Sequence, residues 1–308
     1  MRIFVTGATG FIGSQIVRDL LARGDEVLGL ARSGAAAAVL ADQGAGVRRG
    51  DLAEPEGLAA AARESDGVIH TAFDHDFSKY LEAGEQEQRV IQALTRALAG
   101  TGKPLVAASG TAVVPPGGDE RDAAATEGFA QVRGVPETLV LAAADEGVRA
   151  SVVRLPPSVH DRERQGLVSM MIERAQESGF SAYVGDGSNR WPAVQRRDAA
   201  RLFLLALDRA RPGARLHAVG EQGVPLAAIA TAIGEGLGLA VRSLSAEEAA
   251  PHFGFLGMLV GVDAPATSAI TQETMGWRPS ERGLLEGLRE GGYLNASDVG
   301  PTQSRTFR

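Results

Sequence analysis

The stretch Met1 to Ser33 constrains the fold more than any other part of the chain. Arg2-Ile3-Phe4-Val5-Thr6 is a short apolar run with β-branched residues and reads as a buried strand. Thr6-Gly7-Ala8-Thr9-Gly10-Phe11-Ile12-Gly13 follows at once. Ile12, Ile16 and Leu20, with Val17 and Leu21 beside them, then recur at helical spacing, and Gly24 closes the helix. Glu26 to Ala31 is a second strand, ending at Arg32-Ser33. This is a βαβ unit with its glycines at the first strand-to-helix turn, the arrangement a dinucleotide site requires. Gly7 permits the tight turn, Gly10 lets backbone approach a pyrophosphate, and Gly13 lets helix and strand pack closely. The free N–H groups at the helix start, near Thr9, Phe11 and Ile12, hold phosphate charge.

The end of the second strand selects the cofactor. An acidic side chain there would hold the ribose 2′-hydroxyl of NAD. Arg32 stands there instead, followed by Ser33. A guanidinium cannot accept that hydroxyl's proton but forms charge-assisted bonds to a 2′-phosphate. The expectation is NADP(H).

At 308 residues the chain can bury one large core or two modest ones. A net charge of −7 gives no basic field for nucleic acid or anionic membranes. The absence of cysteine excludes disulfides and thiolate chemistry and fits a reducing compartment. The first strand begins at the extreme N-terminus, so no signal peptide is expected. Phe253 to Val262, the longest apolar stretch, is too short to span a bilayer. The expected protein is cytoplasmic, a monomer or homodimer, acting on a small molecule.

The βα alternation continues. Helices are expected at Ala35–Ala41, Glu56–Arg63, Phe77–Leu98 and Gln131–Glu146. Strands are expected at Gly46–Gly50, Gly67–Phe73, Pro104–Ala108 and Ala150–Leu155. Asp51-Leu52 sits at a strand end, where the carboxylate can reach an adenine amino group. Ser109-Gly110-Thr111 sits at another, where open parallel sheets bind ligands. Pro156-Pro157 breaks the pattern. Beyond it come helices at Leu167–Gln176, Asp198–Arg209 and Pro225–Leu237, and strands at Arg215–Val219 and Val241–Leu244. The fold class is α/β, a Rossmann-like doubly wound parallel sheet with a smaller C-terminal substrate-binding region. Its parts are a cofactor domain at 1–155, a mixed region at 156–295 that partly returns to the sheet and partly forms a lid, and a polar tail at 296–308.

These residues resemble the short-chain dehydrogenase/reductase superfamily in its extended and atypical branches. The resemblance rests on the glycine turn, Gly50-Asp51-Leu52 and Val68-Ile69-His70-Thr71-Ala72. It continues in Ser109-Gly110-Thr111, Val153 to His160 and Trp191 to Asp198, all in order along most of the chain. It implies that Thr71, Ala72, Phe73 and Ser109 lie along the cofactor. It also implies that Pro156, Val159 and His160 flank the nicotinamide, and that Ser109 or Thr111 takes the family's hydroxyl position. The family's usual chemistry needs a Tyr four residues before a Lys, the Lys lowering the phenol pKa. No tyrosine here has that partner. Phe129 and Arg133 stand where the pair would fall.

Three functions remain open. The first is a ketoreductase without the Tyr/Lys acid, helped by a substrate hydroxyl beside the carbonyl. Atypical members of the family reduce phenolic aromatic polyketides such as the angucyclinones, which places antibiotic biosynthesis among the expectations. The second is a non-catalytic NADP-binding regulator. The third is a nucleotide-sugar epimerase or dehydratase. For the first, the expected lining is Phe73, Met170, Met171, Trp191, Phe253, Phe255 and Met258, and the candidate catalytic groups are Ser109, Thr111 and His160. His70 reads as structural. Asp74-His75-Asp76 reads as a solvated loop, and no metal is expected.

Overall fold

A computed structural model describes residues 1–74, 79–163, 165–290 and 292–294. His75, Asp76 and the expected tail therefore lie outside the described residues, as do Phe77 and Ser78, the first two residues of the expected fourth helix.

The alternation is realised as β1 (Arg2–Thr6), α1 (Phe11–Ala22), β2 (Glu26–Ala31), α2 (Gly34–Asp42), β3 (Gly46–Arg49), α3 (Pro55–Arg63), β4 (Gly67–His70), α4 (Tyr80–Leu98), β5 (Pro104–Gly110), α5 (Gln131–Ala142) and β6 (Arg149–Leu155). Then follow β7 (Ser158–His160), α6 (Leu167–Ser178), β8 (Phe180–Val184), β9 (Arg190–Gln195), α7 (Arg196–Arg209), β10 (Ala214–His217), β11 (Glu221–Pro225), α8 (Leu226–Leu237), β12 (Ala240–Leu244), α9 (Ala246–Phe253), α10 (Gly257–Val260), α11 (Ala269–Met275) and α12 (Leu284–Arg289).

A seven-stranded sheet runs β10-β6-β5-β4-β1-β2-β3, with every ladder parallel. Both faces are covered, which is why β1 and β4 are continuous apolar runs rather than alternating ones. Ile3, Val5, Ile69, Val106 and Val153 pack on one face with α1 and α7. Phe4, Val68, Leu105 and Val152 pack on the other with Ile91 and Leu94 of α4. The strand order reverses between β1 and β4, and the crevice beyond their carboxyl ends is where such sheets take ligands.

A second core lies among α6, α8, α9 and β8, under two small sheets, β11-β9-β7 and β12-β8. It corrects the expected lining. Trp191, Met171 and Phe253 are buried there and form its packing. They pack there with Ile172, Leu226, Ile229, Ile233, Leu284 and Leu288. Phe73, Met170 and Phe255 are half-buried, and Met258 is exposed. Strand β7, of three residues, is too short to show a period in the sequence.

Candidate cofactor and substrate site

Gly7 takes φ +66, the left-handed region that favours glycine. A Cβ there would stand 2.8 Å from the Ala72 nitrogen and 2.8 Å from Thr71 Oγ1. At Gly13 a Cβ would stand 2.0 Å from the Gly7 carbonyl oxygen, so no side chain fits. Gly10 closes the turn by donating its N–H to the Gly7 carbonyl at 2.8 Å. It caps α1 with no side chain. As at any helix start, the first N–H groups of α1 have no intrahelical partner. The turn is thus a backbone cradle held open by missing side chains, which fits a pyrophosphate. Thr9 and Gly10 are exposed, and Phe11 and Ile12 are half-buried at its rim. Arg196 lies over the Phe11 ring at 4.9 Å while bound to Asp161 and Glu163.

Arg32 is exposed at the end of β2, and Ser33 caps α2 by accepting the Ala36 N–H at 3.1 Å. The register pairs Ala31 with Arg49 on the neighbouring strand, and Arg49 donates from Nη2 to the Arg32 carbonyl at 3.4 Å. Two guanidinium-bearing residues therefore stand side by side at the edge of the crevice. Sequence reasoning missed Arg49 because its neighbour is set by strand pairing. Asp51 accepts the Ala53 N–H at 2.9 Å, and Leu52 packs beside the core under α3 and α4.

The exit of β4 runs beside the turn. Thr71 donates to the Thr6 carbonyl at 2.8 Å, and the Ala72 N–H donates to Thr6 Oγ1 at 3.3 Å. His70 is buried, with Nδ1 at 2.7 Å from Thr6 Oγ1 and Nε2 at 3.5 Å from Glu87. At the end of β5, Ser109 donates to Glu137 Oε2 at 2.6 Å. Glu137 is held by Arg154, whose Nη1 contacts His217 Nε2 at 3.1 Å. His217 Nδ1 in turn lies 2.8 Å from the Thr267 carbonyl. This buried chain ties β5, α5, β6 and β10 together beneath the crevice. Thr111 is buried in the turn that follows β5, and its hydroxyl makes no hydrogen bond to the described residues.

Pro156 is buried and Val159 half-buried; Val159, His160, Val168, Ile172 and Tyr293 share a small cavity. His160 Nδ1 lies 2.8 Å from the Tyr293 hydroxyl, and Nε2 lies 4.0 Å from Glu221. Burial pushes the imidazole down to about 4, so it is neutral at physiological pH.

Phe129 is exposed and stacks on Tyr80 at 4.7 Å. Phe73 meets Tyr80 edge-on at 6.0 Å, and Phe255 lies 6.1 Å from both Tyr80 and Phe129. Arg133 sits over Phe73 at 4.4 Å, donating to the Ala108 carbonyl at 2.7 Å and to Glu87 at 3.3 Å. Together these form an aromatic mouth at the carboxyl ends of β4 and β5. The sequence pointed to Phe73 and Phe255 but not to Tyr80, which reaches the mouth from the first residue of α4. Among the described residues no cluster of His, Asp and Glu could hold a metal, and no helix is long and apolar enough to cross a membrane.

The parallel sheet with its switch point and glycine cradle defines a Rossmann-like nucleotide-binding fold. The chain belongs to the NAD dependent epimerase/dehydratase family, whose model matches residues 3–219. Its relatives include epimerases, dehydratases and reductases that use a nicotinamide cofactor. An uncharacterized protein of Schizosaccharomyces pombe is 46% identical over 295 residues, covering 96% of this chain and 100% of that one. The 2-alkyl-3-oxoalkanoate reductase of Stenotrophomonas maltophilia is 33% identical over 230 residues, covering 70% and 67% of the two chains. Among solved structures, DesIV, a dTDP-glucose 4,6-dehydratase from Streptomyces venezuelae with NAD and TYD bound, superposes with a TM-score of 0.76 at 22% identity over 96% of each chain. At that identity the likeness establishes the fold.

Proposed function

We propose that the protein is an NADPH-dependent ketoreductase acting on a carbonyl of a small, flat, apolar compound, polycyclic aromatic polyketides being the class we favour. The observation that carries this is the aromatic mouth of Phe73, Tyr80, Phe129 and Phe255 opening beside the glycine cradle. Rings that stack and meet edge-on present faces and edges to an aromatic guest. Two relatives support carbonyl reduction: the 2-alkyl-3-oxoalkanoate reductase, and a Stigmatella aurantiaca enzyme named for ketoreduction of a farnesyl dihydroquinoline oxide. The pairing of Arg32 with Arg49 supports a 2′-phosphate, and hence NADPH over NADH.

The cradle from Gly7 to Gly13 holds the pyrophosphate, Asp51 and Leu52 flank the adenine, and Thr71, Ala72 and Phe73 line the path to the reacting end. When bound, the nicotinamide supplies a hydride. The chain's own task is to press the substrate against that face, exclude water with the aromatic rings, and deliver a proton to the new alkoxide.

The test is cofactor oxidation with phenanthrenequinone, menadione, α-tetralone and phenolic polycyclic ketones. Turnover of one of them with NADPH well ahead of NADH supports the reading. Tight NADPH binding without turnover of any compound favours a non-catalytic regulator. Turnover of a nucleotide sugar instead places the chain with the epimerases and dehydratases.

A further inference from the structure

Carbonyl reduction needs a proton donor within reach of the oxygen, and the described side chains narrow the choice. The Ser109 proton is directed to Glu137. The Thr111 hydroxyl is sealed from solvent. His160 is neutral and joined to Tyr293 within the second region, at the edge of its small cavity. Tyr80 is different. It begins α4, is half-buried, and lies among Phe73, Phe129 and Phe255 at the carboxyl ends of β4 and β5. The Arg133 guanidinium, fixed by the Ala108 carbonyl and Glu87, occupies the same mouth over Phe73.

We infer that Tyr80 is the proton donor of the reduction and that Arg133 stabilises the phenolate it leaves, the pair being assembled across α4 and α5 rather than along one helix. This rests on the ketoreductase reading above. As hydride adds to the carbonyl carbon, the C=O π pair moves to oxygen. The Tyr80 O–H bond breaks, its proton goes to that oxygen, and the products are an alcohol, oxidised cofactor and a phenolate. Water then reprotonates the phenolate. Burial raises the phenol's pKa while Arg133 lowers it, and the net effect is upward. The group is therefore protonated at physiological pH, the form a reductase needs. Sharing the mouth with Arg133 gives the phenolate a nearby positive charge at the moment it forms.

The experiment compares wild type, Tyr80→Phe and Tyr80→Phe/Phe129→Tyr. Tyr80→Phe should lower kcat by roughly 10²–10⁴-fold, the range for loss of a positioned acid. Its NADPH dissociation constant, measured by cofactor fluorescence, should stay within a few-fold of wild type. The alkaline limb of the pH–kcat profile should vanish with the phenol. The double variant places a phenol one stacked ring away and should recover part of the loss. Independently of turnover, tetranitromethane should nitrate Tyr80 in the free protein. NADP⁺ with phenanthrenequinone should protect it, as read by peptide mass spectrometry.

A Tyr80→Phe enzyme that turns over within about threefold of wild type overturns the inference, as does nitration of Tyr80 that ignores the ligands. A kcat loss accompanied by lost cofactor binding makes Tyr80 structural, and also overturns it. If Tyr80→Phe is silent while methylating the substrate's own phenol abolishes turnover, the substrate is the donor. If wild type reduces nothing offered, the ketoreductase reading fails and the donor role with it; nitration protection then reports only whether Tyr80 lines the ligand site.

Discussion

Glu137 and Arg154 face each other fork to fork in the interior. Arg154 donates from Nε to both carboxylate oxygens, at 3.1 and 3.0 Å, and again from Nη2. Neither side chain touches solvent. Each charge is tolerated there because the other is present, and because Ser109, the Asp122 carbonyl and His217 satisfy the remaining groups. The pair therefore fixes the ends of β5 and β6, where the crevice opens.

Removing one partner should be costly. Glu137→Ala leaves a buried guanidinium without its counter-ion, and should destabilise the fold by about 3–5 kcal/mol. A double variant that replaces both with apolar residues of similar volume should lose far less. Urea unfolding of the three proteins measures this; a Glu137→Ala protein as stable as wild type would mean the pair is not held as described. Ser109→Ala, which removes one donor to Glu137 but keeps Arg154 on it, and Thr111→Ala, at a hydroxyl sealed from solvent, should each cost less turnover than Tyr80→Phe.

The two guanidinium-bearing residues at the crevice edge make a prediction about cofactor choice. Arg32→Ala and Arg49→Ala should each weaken NADPH binding by about 1.5–3 kcal/mol, the range for a hydrogen bond to a charged group. NADH binding should change little. Fluorescence titration of both cofactors against both variants decides it, and equal losses for NADH and NADPH would show that neither arginine reads a 2′-phosphate.

The doubly wound sheet was legible because burial on both faces writes itself as short β-branched runs, as at Ile3 to Val5 and Val68 to Ile69. Gly7 and Gly13 of the turn were legible because each meets a steric demand no other residue satisfies. What the sequence hid depends on long-range pairing. Arg49 reaches Arg32 through strand register, Tyr80 reaches Phe129 through the packing of α4 on α5, and Glu137 meets Arg154 across a strand and a helix. None of these leaves a local period. Trp191, Met171 and Phe253 misled for a related reason: bulky apolar residues read alike whether they line a pocket or fill a core.

Gly13 offers a sharper test of the turn than its neighbours. An added methyl would stand 2.0 Å from the Gly7 carbonyl oxygen, and backbone cannot swing aside as a side chain can. Gly13→Ala should destabilise by about 1–3 kcal/mol, the usual cost of overpacking. It should also weaken both cofactors alike, since the cradle itself is displaced. Thermal unfolding with and without NADPH measures both effects. A variant that binds NADPH as tightly as wild type would show that helix and strand have room to separate.

His160 predicts a pH dependence of stability. Burial lowers its pKa to about 4, against 6.5 for the free side chain, with nearby Asp161 opposing the shift. Tyr293 faces Nδ1 and Glu221 faces Nε2. Between those two values the unfolded chain binds a proton at this residue and the folded chain does not. Stability therefore falls as pH drops from 6.5 towards 4, and is independent of this group above 6.5. The slope contributed is at most about 1.4 kcal/mol per pH unit, or about 3 kcal/mol over the whole window. Burial lowers the His217 pKa as well, which adds a fall of the same sign, but that residue is unchanged in a His160→Gln protein. Glutamine keeps a polar group towards Tyr293 and does not titrate. Urea unfolding of wild type and His160→Gln from pH 7.5 to about 4.5 should give curves that run parallel above 6.5 and converge or cross below it. Curves that stay parallel throughout would mean that His160 protonates as readily in the folded protein as in the unfolded chain.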